Sequence, residues 1–202
     1  MKNIIAIDLG INNLLTVVSN IKEPYIIDGK KIKYLNDQYN NGKIEYKKRN
    51  DTLDDYINKA TNYIIKDALD NKIDVIIVGI VDTNKNTNNT YEEIPLNKIR
   101  KRLKRLAKMY NIDYVEQDES FTSKASFLDN DEIPNFNESE RNEYNFSGKR
   151  IARGLYESKD GTMFNADVNA AYNIGRKYNP FFNSENIPRK FITTSPKRIN
   201  VF

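Results

Sequence analysis

The chain has no cysteine, no histidine and no tryptophan among its 202 residues. Without cysteine there is no thiolate nucleophile and no disulfide. With histidine also missing, there is no Cys/His zinc site. The lack of histidine further excludes a Ser-His-Asp triad and an imidazole general base. An absence of disulfides is compatible with a reducing compartment. What remains for chemistry is carboxylate, lysine, tyrosine, serine and threonine. That set is rich in oxygen donors and suits hard cations. Long apolar runs are missing too, so no segment reads as membrane-spanning. The apolar stretch after Lys2-Asn3 is short and is broken by Asp8, unlike a signal peptide, so the expected location is cytoplasmic. Strong charge of one sign is also absent. The 32 Lys plus Arg against 28 Asp plus Glu leave +4, so affinity for a polyanion must come from local clustering.

What is present begins with β-branched runs. Residues 3–7 read as a buried strand that ends at Asp8 and Gly10, and residues 14–19 as a second strand closing a hairpin. Tyr25-Ile26-Ile27 before Asp28-Gly29 gives a third short strand and a turn. Leu53, Ile57, Ala60, Ile64 and Ala68 recur at helical spacing, and residues 73–80 read as a central buried strand. Residues 83–93 are a polar loop. A second helix over 96–110 carries Leu96, Ile99, Leu103, Leu106 and Tyr110 on one face, and 112–115 make another strand. Residues 120–164 lack periodicity and read as an irregular insertion, 166–177 as a last helix, and 179–202 as an irregular tail. The order predicts an α/β fold: a mixed sheet flanked by helices, ribonuclease H-like, in one domain over 1–178.

Three acidic residues stand at element boundaries. Asp8 follows the first strand. It either opens a turn before Gly10 or is delivered to a cleft where Gly10 lets a ligand approach the backbone. Asp167 opens the last helix, where a carboxylate is expected for capping or dipole compensation alone. Yet Asn169 and Asn173, at i and i+4, are poor interior helix residues, and beside two alanines they suggest a close-packed polar surface. Glu119 lies beyond the strand Ile-Asp-Tyr-Val. Alternation puts Gln117 and Glu119 on one face and Glu116 and Asp118 on the other, and the pattern alone does not choose between them. Together the carboxylates suggest a site for paired Mg²⁺ ions and phosphodiester cleavage. Cations crowd the helix over 96–110 at Lys98, Arg100, Lys101, Arg102, Lys104, Arg105 and Lys108. They form either a solvated face or a phosphate-binding one. Lys149, Arg150 and Arg153 beside Gly148 and Gly154 form a second patch, and Ser123 and Lys124 are further candidates for phosphate contact.

The segments AIDLGINNL, DESFTSKASF with DNDEIP, FSGKRIARGLY and DGTMFNADVNAAYNIGRK occur in that order. Over roughly residues 3–177 they resemble the nuclease half of the transposon-encoded OrfB/TnpB family, related to the effector nucleases of type V CRISPR systems. The resemblance implies a RuvC-type, ribonuclease H-like fold and Mg²⁺-dependent, RNA-guided cutting of DNA, with Mn²⁺ as a substitute. It implies that Asp8 and Asp167 are the first and last catalytic and metal-binding acids. The middle acid of most members follows the central strand, where this chain has Gly79. A branch of the family with Glu before the TSKAS segment implies Glu119, with Asp82 as the fallback. Asn169 is expected to orient a carboxylate. No zinc is expected, because the four-cysteine ribbon of many members has no counterpart. The chain starts almost at the first motif, so the RNA- and DNA-binding half is expected to be absent. The partners are then DNA and, if that half is supplied in trans, a guide RNA. Two other readings remain open: a non-cleaving nucleic-acid-binding remnant, and an actin-like or sugar-kinase-type ATPase, whose first strand also ends in an Asp-Gly turn.

Overall fold

A computed structural model describes residues 2–80, 95–134 and 144–201. The expected loop over 83–93 and the fallback residue Asp82 lie outside them. Strands β1 (Ile4–Leu9), β2 (Asn13–Ser19) and β3 (Tyr25–Asp28) form an antiparallel meander. Strands β4 (Val75–Ile80) and β5 (Asp113–Asp118) add to the other side of β1, parallel to it. With β9 (Lys197–Ile199) parallel to β3, the sheet has six strands in the order β5-β4-β1-β2-β3-β9. This is the expected mixed, ribonuclease H-like sheet.

Two cores cover its faces, and strand alternation assigns each residue to one of them. Ile5 and Ile7 of β1 with Ile76 and Val78 of β4 face helices α1 (Lys30–Asn40), α2 (Tyr46–Asp70) and α3 (Leu96–Met109). Ile4 and Ala6 with Val75 and Ile77 face helix α4 (Ala166–Tyr178). The apolar spacing of α2 brings Leu53, Ile57, Ala60, Ile64 and Ala68 into the first core as expected. The helix is longer than the spacing indicates, however, because its first two turns carry few apolar residues. Helix α1, whose pattern is short and interrupted by Asn36 and Asp37, goes undetected. Among the described residues no helix is long and apolar enough to cross a membrane.

The insertion and the tail are more ordered than their sequences suggest. Residues 149–165 form a small antiparallel sheet of β6 (Lys149–Ala152), β7 (Leu155–Glu157) and β8 (Met163–Asn165). These strands are too short to show a period. In the tail, α5 (Arg189–Thr193) and β9 follow Phe182 and Ile187, and those two side chains with Ile192 and Val201 are buried. Burial of each such side chain contributes about 1.5–3 kcal/mol against a total stability of about 5–15 kcal/mol. A chain ended after Tyr178 is therefore expected not to fold, measured as loss of the cooperative melt by circular dichroism. A melt within a few degrees of the full chain would show the tail to be dispensable.

Candidate active site

Asp8, on the same face as Ala6, sits where β1 reaches the carboxyl edge of the parallel strands, and open α/β sheets bind ligands at that edge. Its cross-strand partner is Thr16 of β2. Gly10 makes the following turn possible by close approach: a Cβ there would lie 2.6 Å from the carbonyl oxygen of Asn13. The space at Gly10 is thus taken by the chain itself rather than left for a ligand. The turn places Asn13, which donates from Nδ2 to Asp167 Oδ2 at 2.6 Å and accepts at Oδ1 from Arg198 at 3.2 Å.

Asp167 lies in the first turn of α4 but does not cap it. Asn165 is the N-cap, its Oδ1 accepting from the backbone N–H groups of Asp167 and Val168 at 3.0 Å. The Asp167 carboxylate is left to Asn13 and to the Arg150 guanidinium of β6, 3.6 Å away.

Glu119 follows β5, and its backbone N–H donates to Ile80 O at 3.1 Å, extending the pairing of β4 with β5. Alternation from Val115 turns Gln117 and Glu119 toward α4, the face that holds Asp8. Gly79 is what admits the side chain: a Cβ at 79 would lie 2.6 Å from Glu119 Oε2 and 2.5 Å from Ile174 Cδ1. The Glu119 carboxylate thus occupies the place that a side chain on the central strand would fill. The other candidates are engaged elsewhere. Asp118 is paired with Lys177 of α4 at 2.7 Å and accepts from Ser120, and Glu116 is exposed and accepts from the Tyr114 hydroxyl at 3.2 Å.

The electrostatics follow from this crowding. Burial raises the Asp8 pKa well above the usual carboxylate range. The charges of Glu119 and Asp167 push it further, and Arg150 opposes them. Burial, then the Asp118 charge, raises Glu119 to about 7, with Arg100 opposing. Asp118 itself is lowered by Lys177 and Ser120 in spite of its burial. The Thr16 hydroxyl, on the Asp8 face, is buried without a hydrogen-bond partner among the described residues. Excess negative charge, an all-oxygen donor set and an orphaned hydroxyl fit a hard divalent cation. Among the described residues no three carboxylates close on one point as they stand.

Asn169 does not bond a carboxylate. Its side chain accepts from Phe127 N at 2.9 Å and donates to Ala125 O at 2.8 Å. Asn173 donates to Thr122 O at 2.9 Å and to Ala125 O at 2.7 Å. The i, i+4 pair is a polar surface, as the sequence suggests, and it clamps the backbone that follows Glu119. Asn173→Ala leaves these buried carbonyls short of donors and is expected to destabilise the protein by about 2–3 kcal/mol. A urea midpoint lowered with an unchanged slope is the expected reading, and an unshifted midpoint would mean that the clamp contributes nothing.

The basic residues divide. On α3, Arg102 is spent on Thr61 and Asn62 of α2, and Lys98 pairs with Asp54. Arg100 is half-buried, while Lys101, Lys104 and Arg105 are exposed. Helix α3 packs on the face of the sheet opposite α4. Of the second patch, Arg150 turns to Asp167, Lys149 lies 3.4 Å from Glu157, and Arg153 is exposed at the β6–β7 turn. Ser123 and Lys124 are exposed on the turn after Glu119. Asn13, Arg150 as a partner of Asp167, and Arg198 complete the site. Only Asn13 had a local signal, its place in the turn after Asp8.

The chain matches known proteins in two comparisons. The family described as Cas12f1-like, TNB domain, matches residues 97–174. A cryo-EM structure of the Cas12f1-sgRNA-target DNA complex is similar over 85% of this chain and 49% of that chain, with a TM-score of 0.58 and 19% identity. A cryo-EM structure of a CRISPR-Cas12f ternary complex is similar over 85% of this chain and 38% of that chain, with a TM-score of 0.55 and 17% identity. No curated protein matches. These matches agree with the resemblance read from the sequence: residues 97–174 match a Cas12f1-like family, and the fold is similar to that of the two Cas12f structures. It spans about half the length of the first solved relative and about two-fifths of the second.

Proposed function

We propose that this chain is a RuvC-like, metal-dependent endodeoxyribonuclease domain in which Asp8, Glu119 and Asp167 hold Mg²⁺. The observation that carries the reading is the electrostatic burden on Asp8: two further carboxylates, one just past β5 and one on α4, press on a half-buried one at the carboxyl edge of the sheet. Such an arrangement is costly for a structural site and natural for a cation site. The bound cations would supply an activated water and a stabilised leaving oxygen on the scissile phosphate. The chain's own residues hold the geometry. Asn13 and Arg150 orient Asp167, Gly79 leaves room for Glu119, and Asn169 and Asn173 fix the turn that carries it. DNA is the substrate in this reading, and a guide RNA enters with the remainder of the machinery that longer relatives carry.

The test is cleavage of labelled single- and double-stranded DNA with Mg²⁺, Mn²⁺ or EDTA, with and without a separately supplied guide-binding half. Metal-dependent cutting in either arm supports the reading. A chain that cuts equally well in EDTA contradicts it. A second reading, a nucleic-acid-binding remnant, draws on one observation: Arg150 already neutralises part of Asp167. It predicts DNA binding with no cation affinity at the carboxylates.

A further inference from the structure

Two residues past Glu119, Phe121 adopts φ +65°, a left-handed backbone that a bulky side chain rarely takes. The strain costs about 1–2 kcal/mol and must be held by the surroundings. The turn does so: Thr122 donates from its backbone N and from Oγ1 to Glu119 O at 3.1 and 2.7 Å, and Lys124 N and Ala125 N both donate to Phe121 O at 3.0 Å.

This backbone carries the Phe121 ring to Tyr144 and Phe146, with centroids 5.6 and 6.4 Å away. Tyr144 and Phe146 themselves lie 6.4 Å apart with planes only 20° from parallel. All three rings are half-buried, and among the described residues none belongs to either core. The contrast is with Phe127, Tyr172 and Phe182, which pack on one another inside the second core.

Cations lie beside the rings. The Lys124 ammonium lies 5.7 Å from the Phe121 centroid, and Arg150, four residues after Phe146, reaches Asp167. The cluster is therefore joined to the carboxylate site at both ends, through Glu119 and through Arg150. Half-exposed aromatic faces with flanking cations are the means by which proteins hold unpaired bases, since every base has a π-face and every nucleotide a phosphate. Bases in a duplex are already stacked on one another, which disfavours a paired strand here.

We propose that Phe121, Tyr144 and Phe146 form a stacking platform for an unpaired nucleobase of the strand presented to Asp8, Glu119 and Asp167. The proposal rests on the nuclease reading for the role of that strand. Its test does not, because binding is measured in EDTA, where no cutting occurs.

The wild-type full chain is titrated with a labelled DNA oligonucleotide and with the same strand made abasic at its central positions, at equal salt. RNA versions of both strands form a second arm that assigns the sugar. The ordinary strand is expected to bind about 5- to 100-fold tighter than the abasic one. Phe121→Leu and Phe146→Leu should lose that advantage while binding the abasic strand as the wild type does, and Phe146→Tyr should keep it. Because the chain has no tryptophan, Phe146→Trp places a single indole in the platform. Its emission should be quenched by the ordinary strand and not by the abasic one. Equal binding of ordinary and abasic strands, in DNA and in RNA, overturns the platform whatever the variants do. Base-dependent binding together with undiminished cutting by Asp8→Asn would leave the platform standing and overturn the nuclease reading instead.

Discussion

Asp8→Asn is expected to abolish cutting and, at the same time, to raise the melting temperature of the metal-free protein. In the proposed site, loss of the Asp8 ligand removes several kcal/mol of transition-state stabilisation, a fall in rate of about a thousandfold or more. The stability effect has the opposite sign. The ionised Asp8 carboxylate is disfavoured by burial and by Glu119 and Asp167, so its neutral replacement relieves a standing cost. The pH dependence follows from the same raised values. Glu119 titrates near 7 in the folded chain against an ordinary 4.5. Between those limits the folded state keeps a proton that the unfolded state has released, so stability falls as pH rises through the window. Asp8, raised in the same direction, adds to this fall. Metal-free wild type should therefore melt lower at pH 8 than at pH 5, and Mg²⁺ should recover most of the difference at pH 8. Asp8→Asn should make the profile shallower, leaving the Glu119 part, and melt about 2–6 °C higher than wild type at pH 8 in EDTA. A variant that melts lower than wild type at pH 8 would show that Asp8 is a structural carboxylate, and the cation reading would lose its main support.

Moving the proposed Glu119 carboxylate onto the central strand is expected to rescue its own loss. Glu119→Ala should reduce cutting by a factor comparable to that of Asp8→Asn. Gly79→Glu alone should also be damaging, because its Cβ would fall 2.6 Å from Glu119 Oε2. Overpacking of this kind costs about 1–3 kcal/mol. In the combined variant Gly79→Glu/Glu119→Ala the obstructing carboxylate is gone, and the new one starts from the space it vacated. The end of the Ile174 side chain, 2.5 Å from that Cβ, can rotate aside. Cutting by the double variant should exceed that of Glu119→Ala by about tenfold or more, a strongly non-additive outcome for residues that share one space. If the double variant is no better than Glu119→Ala while both are folded, the two positions are not equivalent. The role assigned to Glu119 would then pass to another acid.

The legible parts of this molecule are those in which a short stretch carries both pattern and chemistry. Strands β1, β2 and β4 announce themselves through β-branched runs, and α3 through a clean apolar stripe. The polar pair Asn169 and Asn173 stands out because asparagine is a poor interior helix residue. The choice among Glu116, Asp118 and Glu119 required the third dimension. It turns on which face of β5 meets α4 and on the empty volume at Gly79, neither of which has a local signature. The role expected of Asn169 failed for a related reason: a side-chain amide bonds backbone as readily as carboxylate, and here backbone is what packs against it. The small sheet β6–β8 and strand β9 have three or four residues each, two alternations at most, and are defined by their partners rather than by periodicity. Arg150 and Arg198 converge on the Asp167 network from β6 and β9, two of the elements that sequence pattern does not reveal.

The central claim is that the carboxylates bind a divalent cation, and it is tested most directly by Mn²⁺ binding followed by electron paramagnetic resonance, which needs neither DNA nor a guide. The account predicts Mn²⁺ bound to the wild-type chain, displaced by Mg²⁺ and tightening as pH rises through about 7, where Glu119 ionises. It also predicts binding weakened at least tenfold in Asp8→Asn and in Asp167→Asn. Mn²⁺ binding that is absent, or unchanged in both variants, would contradict it.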